Sequence, residues 1–300
     1  MKKFLLAGLF LLPGLAIGSE PINLSFNLDK GAKYEYRIEM EQDLKQDAMG
    51  MNVPIKTEIS TTFLMEVKDK TAQETQIQFV YRELMQAISS VLINMRYDSR
   101  KPAENQSEIG KVYGKMFDKL MDKPIMMTVA PDGSVKSVTG MEVIVEEMVQ
   151  AVAADGPQAA RMGAEVRKQF GDAALKSMFE RSLKIYPANA VRTGDSWHSE
   201  ITLSLANMNA VIKTKYTLKE VKKNMATVAA ESDMMIDMAE MGVEAKLAGT
   251  QTGTMVIDTR TGMPVKSDAL GNVKGSYEVQ GINVQVELVN KIKASVKEVR

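Results

Sequence analysis

The sequence predicts a mainly β protein with α: a long-stranded, curved antiparallel sheet or open barrel, internally duplicated and covered by about three helices from the middle of the chain. Three observations predict it. Apolar and polar residues alternate with a period of two over long stretches in both outer parts of the chain. Helical spacing is confined to the middle. The two β-rich parts also echo one another in sequence.

The first segment stands apart from that fold. Lys2 and Lys3 precede an apolar run from Phe4 to Ile17, with the small residues Ala16 and Gly18 at the −3 and −1 positions. This three-part pattern is that of a cleaved signal peptide, Met1–Gly18. The run is too short to span a bilayer, and Pro13 and Gly14 interrupt it. No Cys follows it, so a lipoprotein anchor is not expected. The expected product begins near Ser19, has no membrane-spanning segment and is periplasmic or secreted and soluble.

The first β half is read over 19–100. Tyr34, Tyr36, Ile38, Met40 and Leu44 alternate with Glu35, Arg37, Glu39 and Glu41. Ile55, Ile59, Phe63, Met65 and Val67 continue the period. Ile77, Phe79 and Tyr81 follow the polar turn at Asp69–Glu74, and Ile93, Met95 and Tyr97 form a short strand.

A helical insert with a hairpin is read over 101–185. Ile109, Met116, Phe117 and Leu120 carry helical spacing over Ile109–Met121. A hairpin follows: Ile125–Val129, the turn Pro131-Asp132-Gly133, then Val135–Val138. Met141–Ala153 reads as a second helix and Gln158–Leu183 as a third, longer one with Val166, Phe170, Ala174 and Met178 on its stripe. Pro187 ends it.

Strands resume over 186–300, the second β half of what is read as a single domain (19–300). Ile201, Leu203 and Leu205 alternate, as do Ile212, Thr214, Tyr216 and Leu218. Asn224 marks a turn before Ala226–Ser232. Ala245, Leu247, Gly249, Gly253, Met255 and Ile257 share one strand face, and Thr259–Gly262 is a turn. The last strand runs from Val284 to Val296, about 13 residues and roughly 40 Å. Strands this long exceed the usual 5–6 residues and make a curved sheet with one apolar face to cover. The echo lies in Met51–Thr57 against Met208–Thr214, each followed by a similar strand–turn–strand. Gly249 and Gly253 remove side chains from an apolar face. Either a ligand or helix comes close there, or the sheet simply bends.

Composition excludes several function classes. The chain has no Cys, which removes thiol catalysis and thiolate metal sites. Lys+Arg and Asp+Glu balance at 38 each, so no basic excess points to nucleic acid. The only histidine, His198, cannot build a multi-His site. With Asp195 and Ser196 beside it in sequence it forms no elbow-borne triad, and it is expected to face solvent. The carboxylates sit on polar faces, and no phosphate loop, dinucleotide fingerprint or zinc-protease helix is present. No catalytic residue, cofactor or metal ligand set is assigned, and the protein is read as not an enzyme.

Methionine is the anomaly, with 23 residues. As thioethers, Met234, Met235, Met238 and Met241 could bind copper(I). Their spacing in a strand instead sends Met235 to the face opposite Met234 and Met238. The simpler uses are core packing and an adaptable apolar surface.

Further short signatures occur in order: Gly31–Tyr36 opening the first strand, Tyr97-Asp98-Ser99, Val129–Val135 followed by Val138-Thr139-Gly140, Val191–Trp197, and Thr259–Met263. On these the mature chain resembles a family of exported bacterial proteins defined only as a domain of unknown function. The resemblance specifies shape and implies no activity or site residues. The architecture is also similar to the periplasmic lipoprotein-carrier half-barrels, although this chain is larger and duplicated.

Together these readings lead to an exported, non-enzymatic envelope protein that binds or carries a hydrophobic ligand or lipidated partner. The expected lining is Met148, Phe170, Met178, Met234, Met238, Leu247 and Met255. The alternatives are a structural or assembly protein of the envelope with no small ligand, and periplasmic copper(I) binding through the Met cluster. The carrier reading needs an apolar cavity of several hundred Å³ between helices and sheet.

Overall fold

A strand with alternating apolar residues buries one face, and in this protein twelve strands share that face. The structure, a computed structural model, describes residues 20–102, 107–152, 157–205, 208–238 and 245–299. The elements are β1 (Lys33–Ala48), β2 (Met51–Lys70), β3 (Thr75–Ser90), β4 (Asn94–Asp98), α1 (Glu108–Phe117), β5 (Ile125–Val129), β6 (Val135–Thr139), α2 (Met141–Gln150), α3 (Pro157–Phe170) and α4 (Asp172–Leu183), then β7 (Ser196–Leu205), β8 (Met208–Lys222), β9 (Met225–Asp237), β10 (Ala245–Asp258), β11 (Pro264–Val279) and β12 (Ile282–Val299). The predicted signal segment and Met241 lie outside the described residues.

All the strands form one antiparallel sheet in the order β6-β5-β3-β2-β1-β12-β11-β10-β9-β8-β7, with β4 also paired to β3. The sheet is curved but not closed. Its centre is the pairing of the first and last long strands, from Lys33 opposite Val299 to Ala48 opposite Val284. The predicted last strand is therefore longer than the sequence suggested, at 18 residues. β11 was not anticipated. Its inward positions are Ser267, Ala269, Gly271, Val273 and Gly275, small residues that leave almost no apolar alternation to read.

Two glycines of β10 let β11 come close to it. A Cβ on Gly249 would lie 2.4 Å from the Asn272 carbonyl oxygen, and one on Gly253 2.7 Å from that of Asp268. Both neighbours belong to β11. The nearest atoms at both glycines belong to the adjacent strand and not to a helix, and Gly253 also borders the cavity between helices and sheet.

The helices pack on the concave side. Ser107 caps α1, accepting from the Gly110 N–H at 3.0 Å. The Met141 N–H at the start of α2 donates to the Asp172 carboxylate at 2.9 Å, which places a negative charge at that helix N-terminus. The stretch predicted as one long third helix is helical but broken. Gly171 is extended, and a Cβ there would lie 2.5 Å from the Arg167 carbonyl oxygen. The break lets α3 pack on α2 while α4 turns to touch both β6 and β7, the two edges of the sheet. In effect α4 bridges the gap between the edges.

Glycine makes one of these contacts possible. Gly133, in the predicted hairpin turn, has φ +82°, and a Cβ would lie 1.7 Å from the Leu183 carbonyl oxygen at the end of α4. Beyond α4, the Trp197 indole N–H donates to the Ile185 carbonyl at 2.8 Å. The Ser199 hydroxyl donates to that of Lys184 at 3.1 Å.

The two β-rich halves correspond in structure as well as in sequence. β1-β2-β3 and β7-β8-β9 are both antiparallel meanders. Asp98 ends β4 and Asp258 ends β10, each followed two residues later by an Arg. In each case Oδ1 accepts from that Arg's backbone N–H (3.0 and 3.0 Å) and Nε (3.3 and 3.1 Å), and Oδ2 accepts from Nη2 (3.4 and 2.6 Å).

Candidate ligand-binding site

Between the concave face and the helices lies a cavity of about 530 Å³. It reaches residues of β1–β3 and β7–β12, and of α1, α3 and α4. One wall is aromatic. Phe63 packs against Tyr81 with ring centroids 4.5 Å apart and against Tyr36 at 6.3 Å; Phe117 meets Phe170 edge-on at 5.9 Å. Tyr36 lies deep, and burial pushes its phenol up to about 12; burial also raises Tyr81 and Tyr216. These phenols are neutral donors and acceptors at any physiological pH.

The other notable wall is polar, and strand register creates it. Thr57, Gln42, Asn290, Gly271, Gln251, Ser232, Thr214 and Ser199 stand opposite one another in a row across eight adjacent strands, from β2 to β7. Thr214 and Ser232 hydrogen-bond to each other at 2.8 Å. The Asn290 Oδ1 is buried and has no hydrogen-bond partner among the described residues. Four of the row, Gln251, Ser232, Thr214 and Ser199, border the cavity.

Arg181 enters the cavity from α4 at the level of this row. Its Nη2 donates to the Gln251 Oε1 at 3.1 Å. No carboxylate among the described residues lies within ion-pair distance of it. Burial pulls its guanidinium below the ordinary value, partly offset by the nearby Tyr216. Arginine nonetheless stays charged at neutral pH.

Of the seven residues expected to line a site, the structure brings Phe170, Met178 and Met255 to the cavity. It does not bring the other four. Met148 is fully buried in the core formed by helices and β1–β6, where α2 needs an apolar anchor. Met234, Met238 and Leu247 join Leu203, Ile212, Val273 and Val286 in a separate apolar cluster. That cluster lies on the same sheet face, on the far side of the polar row from the aromatic wall. Sequence reasoning missed Arg181, Gln251 and the aromatic wall. A signal for the row was present: Gln42, Thr214, Gln251 and Asn290 each interrupt an inward apolar alternation. A signal for Arg181 was its place three residues after Met178 on the α4 stripe.

The Met cluster divides between the faces of β9 and its end. Met234 and Met238 are buried, while Met235 is 70% exposed on the other side. Met234, Met235 and Met238 therefore do not converge on one point. Among the described residues no group of His, Asp and Glu is arranged to hold a metal ion. His198 is exposed, and Trp197 beside it stacks on Tyr216 with centroids 5.6 Å apart. No helix among the described residues is long and apolar enough to cross a membrane.

No curated protein matches the chain. Solved structures to which the chain shows similarity include lipovitellin, from a study titled for its lipid–protein interactions, at 10% identity and a TM-score of 0.46, covering 91% of this chain. The chain spans only 26% of lipovitellin's length. An outer membrane channel from Pseudomonas putida F1 is similar at 10% identity and a TM-score of 0.28, covering 96% of this chain and 100% of the channel. OmpF of Salmonella typhi, in complex with daunomycin, is similar at 6% identity and a TM-score of 0.25, covering 90% of this chain and 100% of OmpF. The model of a family of unknown function, DUF6263, matches residues 72–264, more than half of the chain, and the protein belongs to that family.

Proposed function

We propose that this protein is exported to the bacterial envelope and there binds a hydrophobic ligand, a lipid or the lipid chain of a modified partner, without making or breaking a bond. The observation that carries the reading is the cavity of about 530 Å³ between helices and sheet. Small-molecule sites span about 300–1,000 Å³, are lined chiefly by apolar and aromatic side chains, and carry a few placed polar groups. This cavity has each of those properties. An ordinary core would be filled at crystal-like density instead. The export half of the reading rests on the signal pattern at Met1–Gly18.

The test is native mass spectrometry of mature protein purified from the periplasm of its own host without detergent, followed by organic extraction. The expected result is a bound mass of several hundred daltons that extracts as lipid. A clean apo mass, with no uptake when the protein is challenged with lipid, would overturn the reading and leave a structural or assembly role. A copper mass under reducing conditions would move the assignment to the methionines.

A further inference from the structure

The cavity is chiefly apolar; Thr61, Gln86 and Ser267 add polar groups elsewhere on its lining, Asp268 and Lys184 there pair with Lys266 and Glu180, and Arg181 sits at the level of the polar row. Arg181 offers five N–H donors in a planar fork. One donates to the neutral Gln251 side chain at 3.1 Å. No carboxylate among the described residues lies within ion-pair distance, although α4 carries one in the adjacent position. Glu180 turns instead to Lys184 at 4.0 Å. Placing an unpaired guanidinium in a partly desolvated cavity is costly, and such charges are normally matched by an anion. Among the described residues no such partner is in place, and a ligand can supply the counter-charge.

The surroundings define its shape. Below Arg181 the row of Gln251, Ser232 and Thr214 provides hydrogen-bonding groups that tolerate a polar head. To one side the wall of Tyr36, Phe63 and Tyr81 provides an apolar track. A neutral hydrophobe would fill the track and leave Arg181 unmatched. An anion without a chain would leave the track empty. Resting on the reading that the cavity holds a hydrophobic ligand, we propose that the ligand is an acidic amphiphile. Its carboxylate or phosphate head pairs with Arg181 beside Gln251, and its chain runs along the aromatic wall.

The fork of Arg181 suits two oxygens of one head, a carboxylate or a phosphate equally. Lysine in its place would keep the charge and lose the bidentate geometry.

The test uses the full mature chain and cis-parinaric acid, whose fluorescence rises in apolar surroundings, against its methyl ester. The expected result is that wild-type protein binds the acid at least about tenfold more tightly than the ester. Arg181→Gln should remove that difference by weakening the acid alone, and Arg181→Lys should restore part of it. Displacement by palmitate or by hexadecyl phosphate supports the assignment and tells a carboxylate head from a phosphate. Equal binding of acid and ester by wild-type protein, or displacement by hexadecanol as readily as by palmitate, overturns the acidic head while leaving the hydrophobic site standing. Binding of neither acid nor ester overturns both. The wild-type comparison needs no variant, so a misfolded Arg181 variant would not obscure the answer.

Discussion

At the scale of single residues, the buried carboxylates of Asp98 and Asp258 tie strand ends to the turns that follow them. The Asp98 side chain is 1% exposed, and burial alone would raise its pKa. Hydrogen bonds from the Arg100 side chain and backbone, with the charges of Arg100 and Arg96, outweigh that and hold it below the ordinary carboxylate value. A carboxyl depressed in the folded state contributes stability above its unfolded pKa of about 4 and loses it as pH falls through the folded value. Asp98→Asn is therefore expected to cost about 2 kcal/mol at pH 7. The gap to wild type should shrink as urea unfolding is repeated from pH 5 down to pH 3. A gap independent of pH would show that shape, not charge, is what Asp98 supplies. Asp258 has the same hydrogen-bond set with Arg260 and should behave likewise.

At the scale of elements, what matters is which face of a helix meets which part of the sheet. Met148 and Met178 looked equivalent in sequence, each on the apolar stripe of a helix. α2 lies within the core, so Met148 is fully enclosed, whereas α4 borders the cavity and Met178 is 37% exposed. The two should separate cleanly on substitution. Met148→Ala is expected to lower stability by about 2–5 kcal/mol through the void it leaves. Met178→Trp should leave stability within about 1 kcal/mol and weaken cis-parinaric acid binding, because the indole occupies free space. If Met178→Trp bound the probe like wild type, the ligand would not use this part of the cavity. The break at Gly171 belongs to the same scale. The apolar stripe runs through it, so the sequence reads as one helix. Only the approach of the Arg167 carbonyl and α2 to that glycine reveals why the chain bends there.

At the scale of the whole molecule, the sheet is assembled from its two ends. β1 and β12 are the farthest apart in sequence of any strand pair, yet they pair along all sixteen residues of β1 at the middle of the sheet. The edges, β6 and β7, come from the middle of the chain and meet at α4. Local hairpins can form early, but the central pairing must close a loop of nearly the whole chain. Hydrogen exchange is therefore expected to protect the amides of β1 and β12 only in a late refolding phase, after those of the β2–β3 and β8–β9 hairpins. Simultaneous protection of all four would contradict this order. Removing β12 should abolish the fold rather than trim it, since it would leave β1 and β11 as two bare edges.

The sequence by itself determined the class of fold, most of the strands, both turn glycines at Gly133 and Gly262, and the burial of one strand face. These are local properties: alternation, helical spacing and left-handed turns are set by residues within a few positions of each other. It also carried the echo between Met51–Thr57 and Met208–Thr214. The tertiary structure alone decided where the cavity lies and what lines it. Gln42, Thr214, Gln251 and Asn290 are isolated interruptions in four strands until register aligns them into one polar row. Met234, Met238 and Leu247 belong to that same face but fall on the far side of the row. Arg181 is one cation among 38 until α4 is laid across the open edges of the sheet. A site shared by strands from both ends of the chain depends on pairings between distant residues, and those are a property of the folded sheet, not of any segment of it.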